Sequence, residues 1–105
     1  MTKEEFDFYV KVVRERREIH RRYQGVPIVI PREDKPKLYG LLVEARPAGV
    51  IMTSIRASQF RRPPKVAEWP SIFVPYSTID HLELSCPEFE ILLAILSPSD
   101  ESGGA

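Results

Sequence analysis

The stretch that decides the fold is LYGLLVEARPAGVIMTSI, residues 38–55. Two runs rich in β-branched and aliphatic residues flank the short segment Arg46-Pro47-Ala48-Gly49, which is typical of two strands joined by a turn. Pro47 fixes φ for the first central turn position, and Gly49 closes the turn where a side chain would crowd it. The stretch therefore predicts a long β-hairpin.

Size and composition indicate one globular domain over residues 1–97. The chain has 105 residues, of which 43% are hydrophobic and 29% charged, as in ordinary soluble proteins. The longest apolar run, residues 91–96, is too short to span a bilayer, so no membrane association is predicted. A cationic start followed by an apolar segment is missing, which predicts no secretory signal and a cytoplasmic location.

Residues for metal or covalent chemistry are sparse. Cys86 is the single cysteine, which excludes an internal disulfide and a cysteine-based zinc set. His20 and His81 have no partner at metal-ligand spacing, and neither lies near a recognisable nucleophile. The sequence predicts a non-enzymatic protein with no catalytic residue, no metal site and no cofactor.

The chain begins with a predicted helix over residues 2–23. Thr2 and Glu5 form a capping box, and Phe6, Tyr9 and Val10 begin an apolar stripe at helical spacing. The other predicted elements are a strand at 26–30, the hairpin, a long loop at 56–69, a strand at 71–74, a turn at 75–78, a last strand at 79–84, a helix or extra strand at 86–97 and a disordered tail at 98–105. This order predicts a mainly β fold, a small SH3-like barrel of five strands (residues 26–84) with an N-terminal helix and a C-terminal helix or extra strand.

Residues 26–84 resemble the Sm-like (LSm) family of bacterial type. Gly40, two residues before Leu42, is similar to the glycine of the first Sm motif, where a Cβ would obstruct a sharply bent strand. The run Val74-Pro75-Tyr76-Ser77-Thr78-Ile79 resembles the segment ahead of the last strand in those proteins. The resemblance implies RNA binding and a homo-oligomeric ring, in which the last strand of one subunit pairs with the fourth strand of its neighbour.

The positions that bind a base in the Sm family differ here. Where that family has Asp and then Asn, counted from Gly40, this chain has Arg46 and Val50. We therefore place the predicted nucleic-acid contact elsewhere. All fifteen Lys and Arg lie at or before Lys65, and the best candidate site is the basic segment with one aromatic residue among its cations: Arg56, Phe60, Arg61, Arg62 and Lys65. The alternative interpretation is that this basic segment is a solvated loop that binds no nucleic acid.

Two further functions remain open at this stage. Arg17-Glu18-Ile19-His20-Arg21 and the segment 44–49 are similar in spacing to the motifs of PilZ domains, small barrels that bind cyclic di-GMP. That weaker resemblance implies a ligand site at Arg17, Arg21 and Arg46. The other possibility is a protein-interaction or assembly module without nucleic-acid binding, in which the apolar segment 89–96 is the contact surface.

Overall fold

The computed structural model describes residues 1–20, 25–84 and 86–96, with side chains for all of these except 17–20. The helices are α1 (Lys3–His20) and α2 (Pro87–Leu96), and the strands are β1 (Pro27–Ile30), β2 (Leu38–Ala45), β3 (Gly49–Ile55) and β4 (Ser71–Pro75). The strands form one open antiparallel sheet in the order β1-β2-β3-β4. Short 3-10 turns occupy Ala57–Gln59, Val66–Glu68 and Tyr76–Thr78.

The hairpin predicted at residues 38–55 is confirmed as β2 and β3. The Arg46 N–H donates to the Gly49 carbonyl at 2.8 Å across the turn, and the pairing runs from Ala45↔Val50 to Tyr39↔Ile55 with a bulge between Leu42 and Glu44. The expectation for Gly40 is also confirmed, since a Cβ there would lie 1.7 Å from the Thr53 carbonyl oxygen. Because that atom belongs to the paired backbone, a side chain at position 40 would break the ladder.

The predicted start of the first helix is confirmed, and its apolar stripe is buried. The Glu5 N–H donates to Thr2 Oγ1 at 3.2 Å, while the Thr2 N–H donates to Glu5 Oε1 at 3.1 Å, which completes a capping box. Phe6, Tyr9 and Val10 lie in the core. The helix is described as far as His20, and the rest of the predicted span, residues 21–23, lies outside the described residues.

The sheet is covered by a different helix on each face. Side chains of α1 pack with alternate strand residues, among them Ile28, Val50 and Met52. The other face carries Val29 and Ile55, which belong to a second cluster with α2. Strand side chains alternate between faces, so one short sheet supports two cores.

The predicted mainly β, five-stranded closed barrel is wrong. The described residues form four strands and two helices, and β1 and β4 remain the two edges of an open sheet. The missing element is the predicted last strand, since residues 79–84 are not a strand. One backbone hydrogen bond joins this segment to β1, from the Glu83 N–H to the Val29 carbonyl at 3.0 Å.

Hydrogen bonds from α1 and the N-terminus explain why the sheet does not close. The Met1 amine donates to the Ile79 carbonyl at 2.8 Å, and Arg16 Nη1 donates to the Leu84 carbonyl at 2.5 Å. The Tyr9 hydroxyl contacts the carbonyls of Pro27 at 2.7 Å and Glu83 at 3.3 Å, so it bridges β1 and the segment. On the edge of β1 that faces away from β2, Pro27 has no N–H to donate and its carbonyl is already bonded to Tyr9, so little of a ladder with residues 79–84 can form there.

The C-terminal element is a helix, which decides between the two predictions for it. Phe89, Leu92 and Leu93 are buried against the sheet, and Ile91 and Ile95 are exposed. The Trp69 side chain, buried in the same cluster, is part of the core. The predicted disordered tail, residues 98–105, lies outside the described residues.

Candidate anion-binding surface

A cluster of aromatic rings holds the basic loop, which we define as residues 56–65, against α2 and the sheet. The Phe60 ring stacks on Phe89 with centroids 6.0 Å apart and meets Tyr39 edge-on at 5.0 Å. Phe89 also contacts Tyr39 at 5.5 Å and Trp69 at 6.4 Å. Rings at these distances attract one another beyond the burial of their area, so the middle of the loop is fixed to the body of the protein.

Polar contacts fix the two ends of the basic loop. At the start, the Arg56 N–H donates to Gln59 Oε1 at 3.0 Å and opens a 3-10 turn. Beyond the diproline, Trp69 Nε1 donates to the Pro64 carbonyl at 3.0 Å. The side chains of Gln59 and Trp69 therefore hold the backbone at Arg56 and Pro64. The entropy lost in ordering the loop is lost on folding and does not reduce the affinity for a ligand.

The cations of the basic loop face solvent. Arg56, Arg61, Arg62 and Lys65 are all exposed, and none takes part in an ion pair within the described part of the chain. The ion pairs seen there join Lys3 to Asp7, Lys37 to Glu83 and Arg46 to Glu44. The loop thus presents a concentrated positive charge on a protein whose net charge is zero.

The Phe60 side chain lies within the aromatic cluster, and its part in nucleic-acid binding stays a prediction. Its side chain is half-buried, with one stacked contact to the Phe89 ring and one edge-type contact to the Tyr39 ring. Sequence reasoning missed Tyr39 and Phe89 as the residues that position the loop. Their apolar character was visible, but the meeting of residues so distant in sequence is set by the tertiary structure.

The alternative cyclic-dinucleotide set is only partly described. Arg46 lies in the β2–β3 turn, where its Nε contacts Glu44 Oε2 at 3.1 Å. The side chain of Arg17 and the whole of Arg21 lie outside the described residues. Arg46 and Arg56 lie at opposite ends of β3, which is about 20 Å long at roughly 3.3 Å per residue, so Arg46 does not extend the basic loop.

Two groups at the margin of the aromatic cluster have shifted pKa values. Burial raises the pKa of the Tyr39 hydroxyl, which keeps the ring neutral beside the loop. The hydrogen bond from Lys37 Nζ to Glu83 Oε1, 2.6 Å long, raises the pKa of Lys37 and holds it as a cation. Both shifts favour the ionisation states expected at neutral pH.

Residues 1–20, 25–84 and 86–96 contain no group of three or more His, Cys, Asp or Glu side chains placed to hold a metal ion. No helix in this part of the chain is both long and apolar enough to cross a membrane. Comparisons with protein-family models, curated proteins and solved structures found no match. The Sm-like and PilZ resemblances therefore stay predictions from the sequence.

Proposed function

We propose that this protein is a non-enzymatic, cytoplasmic RNA-binding module whose basic loop contacts the phosphate backbone. The observation that carries the proposal is the exposure of Arg56, Arg61, Arg62 and Lys65 on a loop fixed by Phe60 and Trp69. Cations without a carboxylate partner attract phosphates, and binding releases the counterions condensed on the nucleic acid.

The proposal assigns the phosphate contacts to the four cations and the positioning of the loop to Phe60. Recognition of this kind depends on charge and is nearly independent of base sequence. With four contacts on a single strand, the logarithm of the binding constant should fall against the logarithm of salt concentration with a slope of about −3. Such a slope separates phosphate contacts from apolar binding, which salt hardly weakens.

The test is a salt titration of binding to a fluorescein-labelled oligouridine, followed by fluorescence anisotropy. The double variant Arg61→Gln/Arg62→Gln should reduce the magnitude of the slope by about 1.4, because each lost contact contributes roughly 0.7. Lys35→Gln is the matched control, since Lys35 is an exposed cation in the turn between β1 and β2. An absence of binding by the wild type at low salt, or an equal loss in the control, would refute the proposal.

A second variant tests the role given to Phe60. Phe60→Leu keeps an apolar side chain between Tyr39 and Phe89 but removes the ring. If Phe60 only positions the loop, the RNA affinity of the folded variant should stay within about twofold of wild type. A loss of roughly tenfold or more would instead support base stacking, which contributes about 1–3 kcal/mol per base.

Assembly through α2 is the second candidate function, and one observation favours it. Ile91 and Ile95, one helical turn apart, are 59% and 74% exposed, which is unusual for two large aliphatic side chains on one short helix. The ring expected from the Sm resemblance needs a fifth strand, which residues 79–84 do not form. We therefore propose α2 as the contact surface of a homo-oligomer.

Light scattering after gel filtration tests this second candidate. A wild-type oligomer that becomes a monomer in Ile95→Lys would support it, and a wild-type monomer at high concentration would refute it. Point substitutions are needed because removal of α2 would also remove Phe89 and Leu93 from the core.

A further inference from the structure

A groove runs between α1 and the extended segment 79–84, and no residue of the basic loop lines it. Its volume is about 550 Å³, and its apolar lining includes Phe8, Val12, Leu82 and Leu84. Phe8 is 67% exposed and Leu84 49%. An exposed ring beside a preformed cavity is typical of a surface that a partner covers.

The rim of this groove is acidic. Glu4, Glu5 and Asp80 line it, and no Lys or Arg side chain does so in the part of the chain that the structure describes. Glu5 accepts the Thr2 N–H in the capping box, whereas Glu4 and Asp80 are exposed and form none of the hydrogen bonds or ion pairs found among the described residues. Met1 and His81 also line the groove, and the Met1 amine donates to the carbonyls of Ile79 and Tyr76.

The walls of the groove are held together before any ligand arrives. The Tyr9 hydroxyl reaches the Glu83 carbonyl at 3.3 Å, and Arg16 Nη1 reaches the Leu84 carbonyl at 2.5 Å, so α1 and the segment form one unit. A preformed groove binds without paying for the ordering of its own walls.

From these observations we infer that the groove is a docking site for a cationic peptide segment of a partner protein. One apolar side chain of the partner enters between Phe8 and Leu84, and flanking Lys or Arg residues face Glu4 and Asp80. The acidic rim repels nucleic acid, so this surface is separate from the basic loop and does not depend on its function. It also repels an acidic peptide, which makes charge the property that distinguishes partners.

The test is a nuclear magnetic resonance titration of the full-length ¹⁵N-labelled chain with four short synthetic peptides. The peptides combine Lys or Glu flanks with a central Leu-Phe pair or a central Ser-Ser pair. Only the Lys-flanked peptide with the Leu-Phe centre should shift the backbone amide signals of Phe8, Asp80 and Leu84. The method detects millimolar affinities, so the absence of shifts with all four peptides overturns the inference.

Separate variants of the apolar lining and of the acidic rim measure how much each contributes to peptide affinity. Phe8→Ser should weaken binding about tenfold, the value expected for loss of one well-buried apolar contact, and it should fold because Phe8 is exposed. Asp80→Asn should weaken binding about two- to fivefold at low salt and less at high salt. Phe8→Ser should leave oligouridine binding unchanged.

Matched controls place the same chemistry elsewhere. Phe73→Ser removes a ring that is 51% exposed on β4, and Glu33→Gln removes an exposed carboxylate from the turn after β1. Neither should change peptide affinity, and an effect equal to that of Phe8→Ser or Asp80→Asn overturns the assignment. Concentration-dependent shifts of the same amides without peptide would identify a second copy as the occupant and would also overturn it.

Discussion

Replacement of Phe89 by alanine should destabilise the protein more than any change on the exposed side of the same helix. The Phe89 ring is 0% exposed and contacts the rings of Tyr39, Phe60 and Trp69. A buried Phe→Ala change costs about 3–5 kcal/mol through lost transfer energy and the cavity it leaves. The free energy of unfolding of a domain this size is about 5–15 kcal/mol, so the variant should lose roughly a fifth of it or more.

Urea unfolding provides the measurement, with Trp69 as the reporter. It is the only tryptophan in the chain and lies 6.4 Å from Phe89, so its fluorescence follows this cluster, while circular dichroism follows the helices. Phe89→Leu should cost about 1–2 kcal/mol and keeps the test decisive if the alanine variant does not fold. Ile95→Ala is the control and should change the free energy by less than about 0.5 kcal/mol, because Ile95 is exposed. Equal costs at positions 89 and 95 would refute the view that the ring cluster fixes α2.

Four further predictions concern α1, the sheet and the 3-10 turn Tyr76–Thr78. Gly40→Ala should cost about 3 kcal/mol or more in urea unfolding, since its Cβ would overlap the Thr53 carbonyl oxygen; a cost below about 1 kcal/mol would contradict this contact. Thr2→Ala should lower the free energy of unfolding by about 1 kcal/mol because the Glu5 N–H loses its cap, and an unchanged urea midpoint would count against the capping box. Tyr76→Phe should raise the free energy of unfolding by up to about 1 kcal/mol, because the buried Tyr76 hydroxyl has no hydrogen-bond partner among the described residues. Burial also raises the pKa of Tyr76 above its usual 10.0, so the folded state holds this proton more tightly than the unfolded state does. The free energy of unfolding should therefore fall above pH 10 in the wild type, and fall less in Tyr76→Phe. Equal losses in the two proteins at pH 10.5 would contradict this prediction.

The two proposed surfaces give the charge pattern of the chain a structural meaning. The sequence places its Lys and Arg before residue 66, and four of them are exposed together on the basic loop. Asp80, from the acidic second part of the sequence, lines the same groove as Glu4 of α1. The net charge of the chain is zero, but the basic loop is locally positive and the acidic rim of the groove is locally negative.

Local features of this protein were determined by the sequence itself. The β2–β3 hairpin, the need for glycine at position 40 and the capping box at Thr2 all follow from interactions between residues close in sequence, or from backbone geometry that only one residue type permits. The exposure of the basic loop also agrees with the ordinary behaviour of charged side chains in water.

Only the tertiary structure decided how these elements pack together and whether the sheet closes into a barrel. The sequence predicted a fifth strand at 79–84 because its β pattern resembled one, but α1 and the N-terminus take the carbonyls of Ile79, Glu83 and Leu84 and leave an open sheet. In the same way, the stacking of Phe60 on Phe89, from the far end of the chain, was not visible in the sequence pattern. Pairings across long sequence separations depend on competition among partners for the same donors, acceptors and apolar surface, and local pattern does not encode which partner wins.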